Sequence, residues 1–294
     1  MEPMLRQPST SAAPARSAAA PAIVKADGTV EPFSRERLER SLARAGAAPR
    51  AAEEIAGRVA GSIAPGASSK EIYRKAFTLL RQHARPVAAR YALRRALLDL
   101  GPTGHPFEDF ISHLFAREGW SVETRKMIAG RCVVHEVDFY AARAQEFMAA
   151  ELKYHNDPGY KSDLKTALYV KSRFDDIFAC DATLRTCPID RGILITNTKF
   201  TSEAIKYAEC AGVELLGWSY PAGAGLFERM SAARTYPITA LTALEGREKR
   251  LLVAQGVIAA DQLAERREAL RALRLPPERI GRAIAEADAL GALS

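Results

Sequence analysis

The stretch "HEVDFYAARAQEFMAAELKYHN", residues 135–156, contains two apolar runs that each end in charged side chains. Successive side chains of a β-strand point to opposite faces, so Glu151, Lys153 and His155 share one face of the second run. If the two runs pair as a hairpin, Asp138 in the first run faces Glu151 across the ladder. The stretch therefore predicts two strands that bring two carboxylates and a lysine into one patch.

This patch has the composition of a site for a hard divalent cation. Oxygen ligands suit Mg²⁺, and a cation relieves the repulsion between neighbouring carboxylates, so Asp138 and Glu151 are predicted to bind Mg²⁺, with Mn²⁺ as an alternative. Lys153 would position a water molecule or stabilise charge on a phosphate. The alternative interpretation is an exposed ion pair on a strand without catalytic function. His135 and His155 are interpreted as structural, since Mg²⁺ prefers oxygen.

The elements around the hairpin indicate an α/β domain. The stretch "PFEDFISHLFAREGW" (106–120) places its apolar residues at the spacing of a core-facing helix. The stretch "KSDLKTALYVKSRFDDIF" (161–178) reads as a second helix, and "ILITNTKFTSEAIKYAECAGVELLGW" (193–218) as strand, helix and strand. A helix, antiparallel strands and then a strand–helix–strand unit predict a mixed sheet.

In this order the elements resemble the Mrr-like branch of the PD-(D/E)xK nuclease superfamily, over roughly residues 105–221. The resemblance implies a metal-dependent endonuclease in which Asp138, Glu151 and Lys153 are catalytic. It also implies that Glu108, in the opening helix, assists metal binding.

The sequence departs from the superfamily pattern at two places in the hairpin. Val137 stands before the first aspartate, where a proline is usual. The turn "AARAQE" (141–146) contains no Gly, Asn or Pro, so turn chemistry does not predict its geometry. The facing of Asp138 and Glu151 depends on that turn.

The first third of the chain resembles an ATP-cone domain, over residues 23–100. The resemblance lies in three stretches that occur in order: "VKADGTVEPFSRERL" (24–38), "SSKEIYRKAF" (68–77) and "VAARYALRRA" (87–96). The first contains an Asp-Gly hairpin signal, and helical patterns follow, so this unit is predicted to be a hairpin with about four helices. The resemblance implies that ATP or dATP binds as an allosteric ligand.

Position by position, the resemblance implies that Lys25 contacts phosphate, that Glu31 and Arg37 lie near the nucleotide, and that Ser69 caps a helix facing it. Ala26 stands where the family usually has an arginine. There is no Gly-rich Walker loop, so nucleotide binding would be regulatory. The alternative is a basic helical domain that binds DNA phosphates.

The last part of the chain has a helical pattern broken by Gly and Pro turns. It vaguely resembles helix-hairpin-helix DNA modules, although glutamates offset most of its charge, and an ordinary solvated face is an equal alternative. Its basic residues are Arg247, Lys249, Arg250, Arg266, Arg267, Arg271 and Arg274. The predicted organisation is a disordered tail (1–20), an ATP-cone (21–100), a nuclease domain (105–222) and a helical domain (223–294).

Charge and cysteine content narrow the class of protein. The net charge of +7 is concentrated in residues 21–100, which suits phosphate-bearing partners, whereas residues 101–222 are net −3. None of the four cysteines forms a Cys-x-x-Cys pair, which argues against a zinc ribbon and indicates a cytoplasmic protein.

No apolar run reaches 18 residues, so no membrane span is expected. The first twenty residues lack an apolar signal region, with a transit peptide as the alternative.

Together these features predict a Mg²⁺-dependent DNA endonuclease of the Mrr-like type IV restriction kind, with an N-terminal ATP-cone that binds nucleotide. DNA and a nucleotide are the predicted partners, and the oligomeric state is left open between monomer and homo-oligomer. The alternative function is a non-cleaving, nucleotide-responsive DNA-binding or regulatory protein that keeps the nuclease fold.

Overall fold

The computed structural model of the 294-residue chain describes residues 20–179 and 189–293. The predicted tail lies outside the described residues except for Ala20, as do Cys180 and Cys187. Within the described ranges, Cys132 and Cys210 are free and exposed. No helix in this part of the chain is long and apolar enough to cross a membrane.

The N-terminal unit is a small sheet with five helices. Strands β1 and β2 form the predicted antiparallel hairpin, with Gly28 at a φ of 80° in the turn, and β3 pairs parallel with β1. The predicted last helix is divided in two at Ala92. The elements are β1 (Ala22–Val24), β2 (Val30–Pro32), α1 (Arg35–Arg44), α2 (Pro49–Ala60), β3 (Ala67–Ser68), α3 (Ser69–His83), α4 (Arg85–Tyr91) and α5 (Leu93–Leu98).

Serine side chains begin two of these helices. Ser34 Oγ accepts a hydrogen bond from the backbone N–H of Arg37 at 3.1 Å, as expected of an N-cap. Ser68 Oγ accepts from Glu71 N–H at 3.1 Å, so Ser68 is the cap of α3. The prediction that Ser69 caps this helix is wrong: Ser69 is its first helical residue, whereas Ser68 has the extended backbone that a cap requires.

The middle unit is built on a five-stranded sheet with strand order β10-β8-β6-β5-β4. Strands β4, β5 and β6 are antiparallel, whereas β6, β8 and β10 are parallel, which confirms the predicted α/β class with a mixed sheet. The elements are α6 (His105–Arg117), β4 (Ser121–Ala129), β5 (Val134–Arg143), β6 (Glu146–Lys153), β7 (Lys161–Ser162), α7 (Leu164–Phe178), β8 (Arg191–Thr196), β9 (Lys199–Phe200), α8 (Ser202–Ala211) and β10 (Glu214–Leu216).

Helices cover both faces of this sheet. The face that carries Phe139 and Ala150 packs against α6, and the opposite face, with Val137 and Ala149, packs against α7 and α8. The central strands are buried on both faces. Charged side chains at the ends of these strands are therefore surrounded by protein groups. The sheet therefore forms a rigid support for the charged ends of β5 and β6.

Strand β4 was not predicted from the sequence. It is an edge strand, and Ile128 is its one fully buried residue, so it lacks the apolar alternation that marks a half-buried strand. Its pairing with β5 is interrupted at Arg125, which has a φ of 51° and lies opposite Asp138.

The turn of the β5–β6 hairpin has a two-residue loop, Ala144 and Gln145. Pairing runs from Arg143 with Glu146 at the loop to Phe139 with Ala150. Ala144 has a φ of 52°, in the left-handed region that side chains with a Cβ disfavour by about 1 kcal/mol. Because alanine stands at this position instead of glycine, the turn could not be recognised from its residues.

Ala144→Gly is expected to raise the free energy of unfolding by about 1 kcal/mol, because glycine adopts the left-handed conformation without the steric penalty. Chemical denaturation measures the change. Ala142→Gly in the same hairpin is the matched control and is expected to be destabilising, since Ala142 is a strand residue without positive φ. A lower stability for Ala144→Gly would contradict the strain at this turn.

The C-terminal unit consists of short helices that pack onto the first two units. One continuous apolar cluster includes Leu93 and Leu97 of α5, Phe107 of α6, Phe139 of β5 and Leu270 of α11. The elements are α9 (Leu226–Ala233), a 3₁₀ turn (Ile238–Ala240), α10 (Gly246–Ala254), a second 3₁₀ turn (Ala260–Leu263), α11 (Arg267–Ala272) and α12 (Pro277–Gly291).

Candidate active site

The structure places Asp138 and Glu151 opposite one another on adjacent strands. The pairing of β5 with β6 ends at Phe139 and Ala150, and Asp138 and Glu151 are the next residues along the two strands. Asp138 Oδ2 accepts a hydrogen bond from the backbone N–H of Leu152 at 2.5 Å. The alternation of β5 breaks at Asp138, because Val137 and Phe139 lie in apolar clusters on opposite faces of the sheet. The facing of the two carboxylates as metal ligands stays a prediction.

Glu151 is almost fully buried, with 4% of its surface exposed, and both of its oxygens have cationic partners. Lys153 Nζ donates to Oε1 at 2.6 Å, and Arg173 Nη1 donates to Oε2. Arg173 extends from α7, where it also donates to the carbonyl of Glu136 and to the hydroxyl of Tyr169. A buried carboxylate requires such partners, because an unpaired charge there is strongly destabilising.

Arg173 was not among the site residues predicted from the sequence. It lies 22 positions after Glu151, in a helix whose polar face gives no sign of which strand end it meets. Its role depends on the packing of α7 across the sheet.

The pKa of the Asp138 carboxyl group is raised to about 6 by its burial and by neighbouring negative charge. Burial is the largest cause, followed by the charge of Glu151, and the charge of Glu108 acts in the same direction. The hydrogen bond from Leu152 N–H and the charge of Lys153 oppose the shift. A divalent cation beside Asp138 would relieve this repulsion and stabilise the ionised form.

Glu108 is brought to the same region by the first turn of α6. Its Oε2 lies 3.2 Å from His105 Nδ1 and 3.6 Å from Arg125 Nη1. The positive φ of Arg125 thus occurs at the point where β4 passes Asp138, and its guanidinium lies beside the helix acid. Backbone outliers of this kind are frequent at functional sites.

The donor set fits a hard cation in chemistry, since Asp138, Glu151 and Glu108 offer only carboxylate oxygens. Among the described residues, however, no group of three or more His, Cys, Asp or Glu side chains is arranged to hold a metal ion. Lys153 and Arg173 occupy the oxygens of Glu151, so metal binding would require at least one of these cations to move.

The flanking histidines have protein partners. His135 Nε2 lies 2.8 Å from Asp176 Oδ2, and this contact is the largest of the causes that hold the pKa of Asp176 well below its usual range. His155 Nε2 lies 3.1 Å from Ser162 Oγ, and its ring is 4.0 Å from that of Tyr160. These contacts support a structural role.

The residues predicted to contact a nucleotide lie around the N-terminal hairpin. Glu31 joins two cations, with Lys25 Nζ and Arg37 Nη1 each 3.0 Å from its carboxylate. The parallel pairing of Val24 with Ser68 places Lys25 beside the start of α3, where Ser69 lies. Lys25, at the end of the central strand, therefore contacts Glu31 on one side and lies next to the start of α3 on the other.

Comparison with known families gives two matches. Residues 21–99 match the ATP cone domain, so the chain carries an ATP-cone. Residues 236–291 match the family described as AF1548-like, C-terminal.

The relatives include proteins of unknown activity. An uncharacterized protein of Archaeoglobus fulgidus is 34% identical over 177 residues, which are 60% of this chain and 97% of the relative. The crystal structure of the protein of unknown function AF1548 is 31% identical with a TM-score of 0.51, covering 65% of this chain and all of that one. The MspJI restriction endonuclease, solved in complex with a 27-mer oligonucleotide, is a weak match: 18% identity, a TM-score of 0.35, 71% of this chain and 44% of that one. On the strength of its match to nearly the whole length of the archaeal relative, this chain belongs to the AF1548-like family.

Proposed function

We propose that this protein is a Mg²⁺-dependent DNA endonuclease of the Mrr-like kind, which hydrolyses phosphodiester bonds under the control of a nucleotide bound to its ATP-cone. The observation that carries the proposal is the position of Asp138 opposite Glu151, with Lys153 on the same face, at the ends of two central strands. The position of Glu108 supports the proposal, because this helix residue is close enough for its charge to raise the pKa of Asp138.

Each residue has a role that follows from its chemistry. Asp138 and Glu151 would hold Mg²⁺, with Mn²⁺ as a substitute, and Glu108 would assist from α6. When bound, the cation supplies positive charge to the scissile phosphate and lowers the pKa of a coordinated water. Lys153, whose ammonium contacts Glu151, is placed to orient the attacking water or to donate to a phosphate oxygen.

The nucleotide part of the proposal rests on the ATP-cone. ATP or dATP is the proposed ligand, with Lys25 at the phosphates, Glu31 and Arg37 close by, and Ser69 at the start of α3. The absence of a Walker sequence makes the ligand a regulator, so its effect would be on cleavage or DNA binding.

The proposal predicts that the purified chain nicks supercoiled plasmid DNA in Mg²⁺ or Mn²⁺ and that EDTA stops the reaction. Agarose gel electrophoresis measures the conversion of supercoiled plasmid to open-circle and linear forms, with and without ATP or dATP. The same series with methylated plasmid tests for modified DNA. If no metal-dependent cleavage occurs with any of these substrates, the nuclease proposal is wrong.

A second candidate is a non-cleaving, nucleotide-responsive DNA-binding or regulatory protein on the same fold. The engagement of both Glu151 oxygens by Lys153 and Arg173 favours it, because a carboxylate committed to two cations is less available to a metal. Tight duplex binding by a mobility-shift measurement, without any nicking in Mg²⁺, would support this candidate.

A further inference from the structure

The ATP-cone contacts the loop that follows the candidate active-site strand β6. Arg94 Nη2, in α5 of the cone, donates a hydrogen bond to the carbonyl of Pro158 at 2.7 Å. The hairpin turn of the cone approaches the same loop, because a Cβ added to Gly159 would lie 3.3 Å from the carbonyl oxygen of Ala26. The nucleotide-binding domain and the end of β6 therefore meet at residues 157–160.

Two lysines of the middle unit stand directly beside this contact. Lys161 on β7 pairs with Lys199 on β9 in the parallel register of their two-stranded sheet. Like charges that face each other across a strand pair are destabilising. In the part of the chain that the structure describes, neither lysine forms an ion pair with a carboxylate.

Two cations of the cone, Arg94 and Lys25, lie near this lysine pair. Burial is the first cause that lowers the pKa of Lys199, and the charges of Arg94, Lys25 and Lys161 lower it further. Asp27 is the carboxylate that opposes this shift, and it is already bonded to the hydroxyl of Thr29 at 2.6 Å. Glu31 pairs with Lys25 at 3.0 Å, and Asp157 lies in the contacted loop. The four cations at the junction of the two units therefore outnumber its three carboxylates by one.

The hydrogen bonding of Arg94 is a second, independent observation that favours an anionic ligand at this junction. Its Nε is buried without a hydrogen-bond partner, and desolvation lowers the pKa of the guanidinium. Within the described residues Arg94 forms no salt bridge, although it is the side chain that donates to Pro158. Arg94 as a whole is half-buried, and a guanidinium that forms no salt bridge is a favourable donor for phosphate oxygens.

We propose that Lys161 and Lys199 of the middle unit, together with Lys25 and Arg94 of the cone, form one composite site for the polyphosphate of the bound nucleotide. This inference rests on the proposed binding of nucleotide by the ATP-cone. A polyphosphate concentrates several negative charges in a small volume, which matches four converging cations. DNA instead spaces its phosphates along a strand.

The composite site gives the nucleotide a direct connection to the candidate active site. Lys161 lies eight positions after Lys153, and the intervening chain is the loop that Arg94 and the cone turn contact. A ligand that draws Lys161 and Lys199 towards Lys25 would hold this loop against the cone. The loop follows directly from the end of β6, where Lys153 lies.

The experiment is isothermal titration calorimetry of the full chain with ATP and with AMP. The variant Lys161→Met/Lys199→Met is expected to bind ATP at least about tenfold more weakly, with AMP affinity changed less than about twofold, since AMP carries one phosphate. The matched control is Lys171→Met/Lys206→Met, which removes two lysines of α7 and α8 and is expected to bind ATP like the wild type. Because removing Lys161 and Lys199 relieves repulsion, the variant without ATP is expected to melt at the same temperature as the wild type or higher.

The outcomes separate the two proposals. Failure of the wild type to bind ATP would overturn nucleotide binding and the composite site together. If Lys25→Ala weakens ATP binding but the Lys161/Lys199 variant binds ATP like its control, the cone binds nucleotide by itself and the composite site is wrong. If the variant loses affinity for duplex DNA in a mobility-shift measurement while its ATP affinity is unchanged, the cluster is a DNA contact and the composite site is again wrong.

Discussion

Asp138→Asn is expected to reduce Mg²⁺-dependent nicking by about a thousandfold or more while raising the stability of the protein in EDTA. The loss follows because a neutral amide cannot replace a carboxylate as a metal ligand in a site of this kind. The amide oxygen can still accept the hydrogen bond from Leu152 N–H, so the fold keeps this contact. This one substitution therefore distinguishes an effect on nicking activity from an effect on folding.

The gain in stability has a definite dependence on pH. Burial and the charge of Glu151 raise the pKa of Asp138 to about 6 in the folded chain, above its ordinary value of 3.8. The folded state therefore binds more protons than the unfolded state between these values, and ionised Asp138 destabilises the fold above about pH 6. At pH 8 the variant is expected to be more stable than the wild type by about 1–2 kcal/mol, after allowance for solvent screening. Below about pH 4 the difference should vanish.

Urea denaturation in EDTA at pH 4 and pH 8 measures the stability, and plasmid nicking measures the activity. Asp109→Asn is the matched control, because Asp109 lies on α6 with an exposed side chain that contacts Arg125. This control is expected to change neither quantity appreciably. Wild-type nicking by Asp138→Asn would show that Asp138 is not catalytic, and equal stabilities at pH 8 would show that its charge is not destabilising.

Glu286→Ala is expected to lower the free energy of unfolding by about 3 kcal/mol, a large effect for a residue outside the site. Glu286 lies on α12 with 6% of its surface exposed. Its carboxylate accepts hydrogen bonds from Thr242 N–H at 2.8 Å, Thr242 Oγ1 at 2.7 Å and Ala243 N–H at 2.7 Å. Each bond to a charged group contributes about 1.5–3 kcal/mol, and removal leaves buried donors without an acceptor.

Urea denaturation at neutral pH measures this change, with Glu278→Ala as the control on the same helix. Glu278 lies exposed in the first turn of α12, where its favourable interaction with the helix dipole is worth only about 0.5 kcal/mol. A loss below about 1 kcal/mol for Glu286→Ala would mean that the segment at residues 242–243 finds other acceptors.

The part of the site that lies on adjacent strands could be predicted from the sequence. Alternation along β6 predicted that Glu151 and Lys153 share one face, and hairpin pairing predicted Asp138 opposite them, although β5 breaks its alternation at Asp138. Both inferences use only local geometry. Arg173 could not be found in this way, because its contact with Glu151 depends on how a later helix crosses the sheet.

The errors in the fold also have physical causes. Strand β4 was missed because an exposed edge strand needs little apolar sequence. The capping-box spacing from Ser68 to Glu71 predicts the observed cap, whereas the family resemblance implied Ser69, which the backbone conformation excludes. The hairpin turn gave no signal because Ala144 adopts a conformation usually taken by glycine.

The continuous apolar cluster makes the three units one cooperative body. Leu93 and Leu97 of the cone lie in the same cluster as Phe107 and Phe139, so separating the cone would expose apolar surface on both sides. The N-terminal unit also has an apolar cluster of its own, but a chain truncated after α5 would lose part of the interior that α5 shares with the other units. A ligand that stabilises the cone raises the energy of opening this shared interior, so it would slow amide hydrogen exchange in the central strands as well.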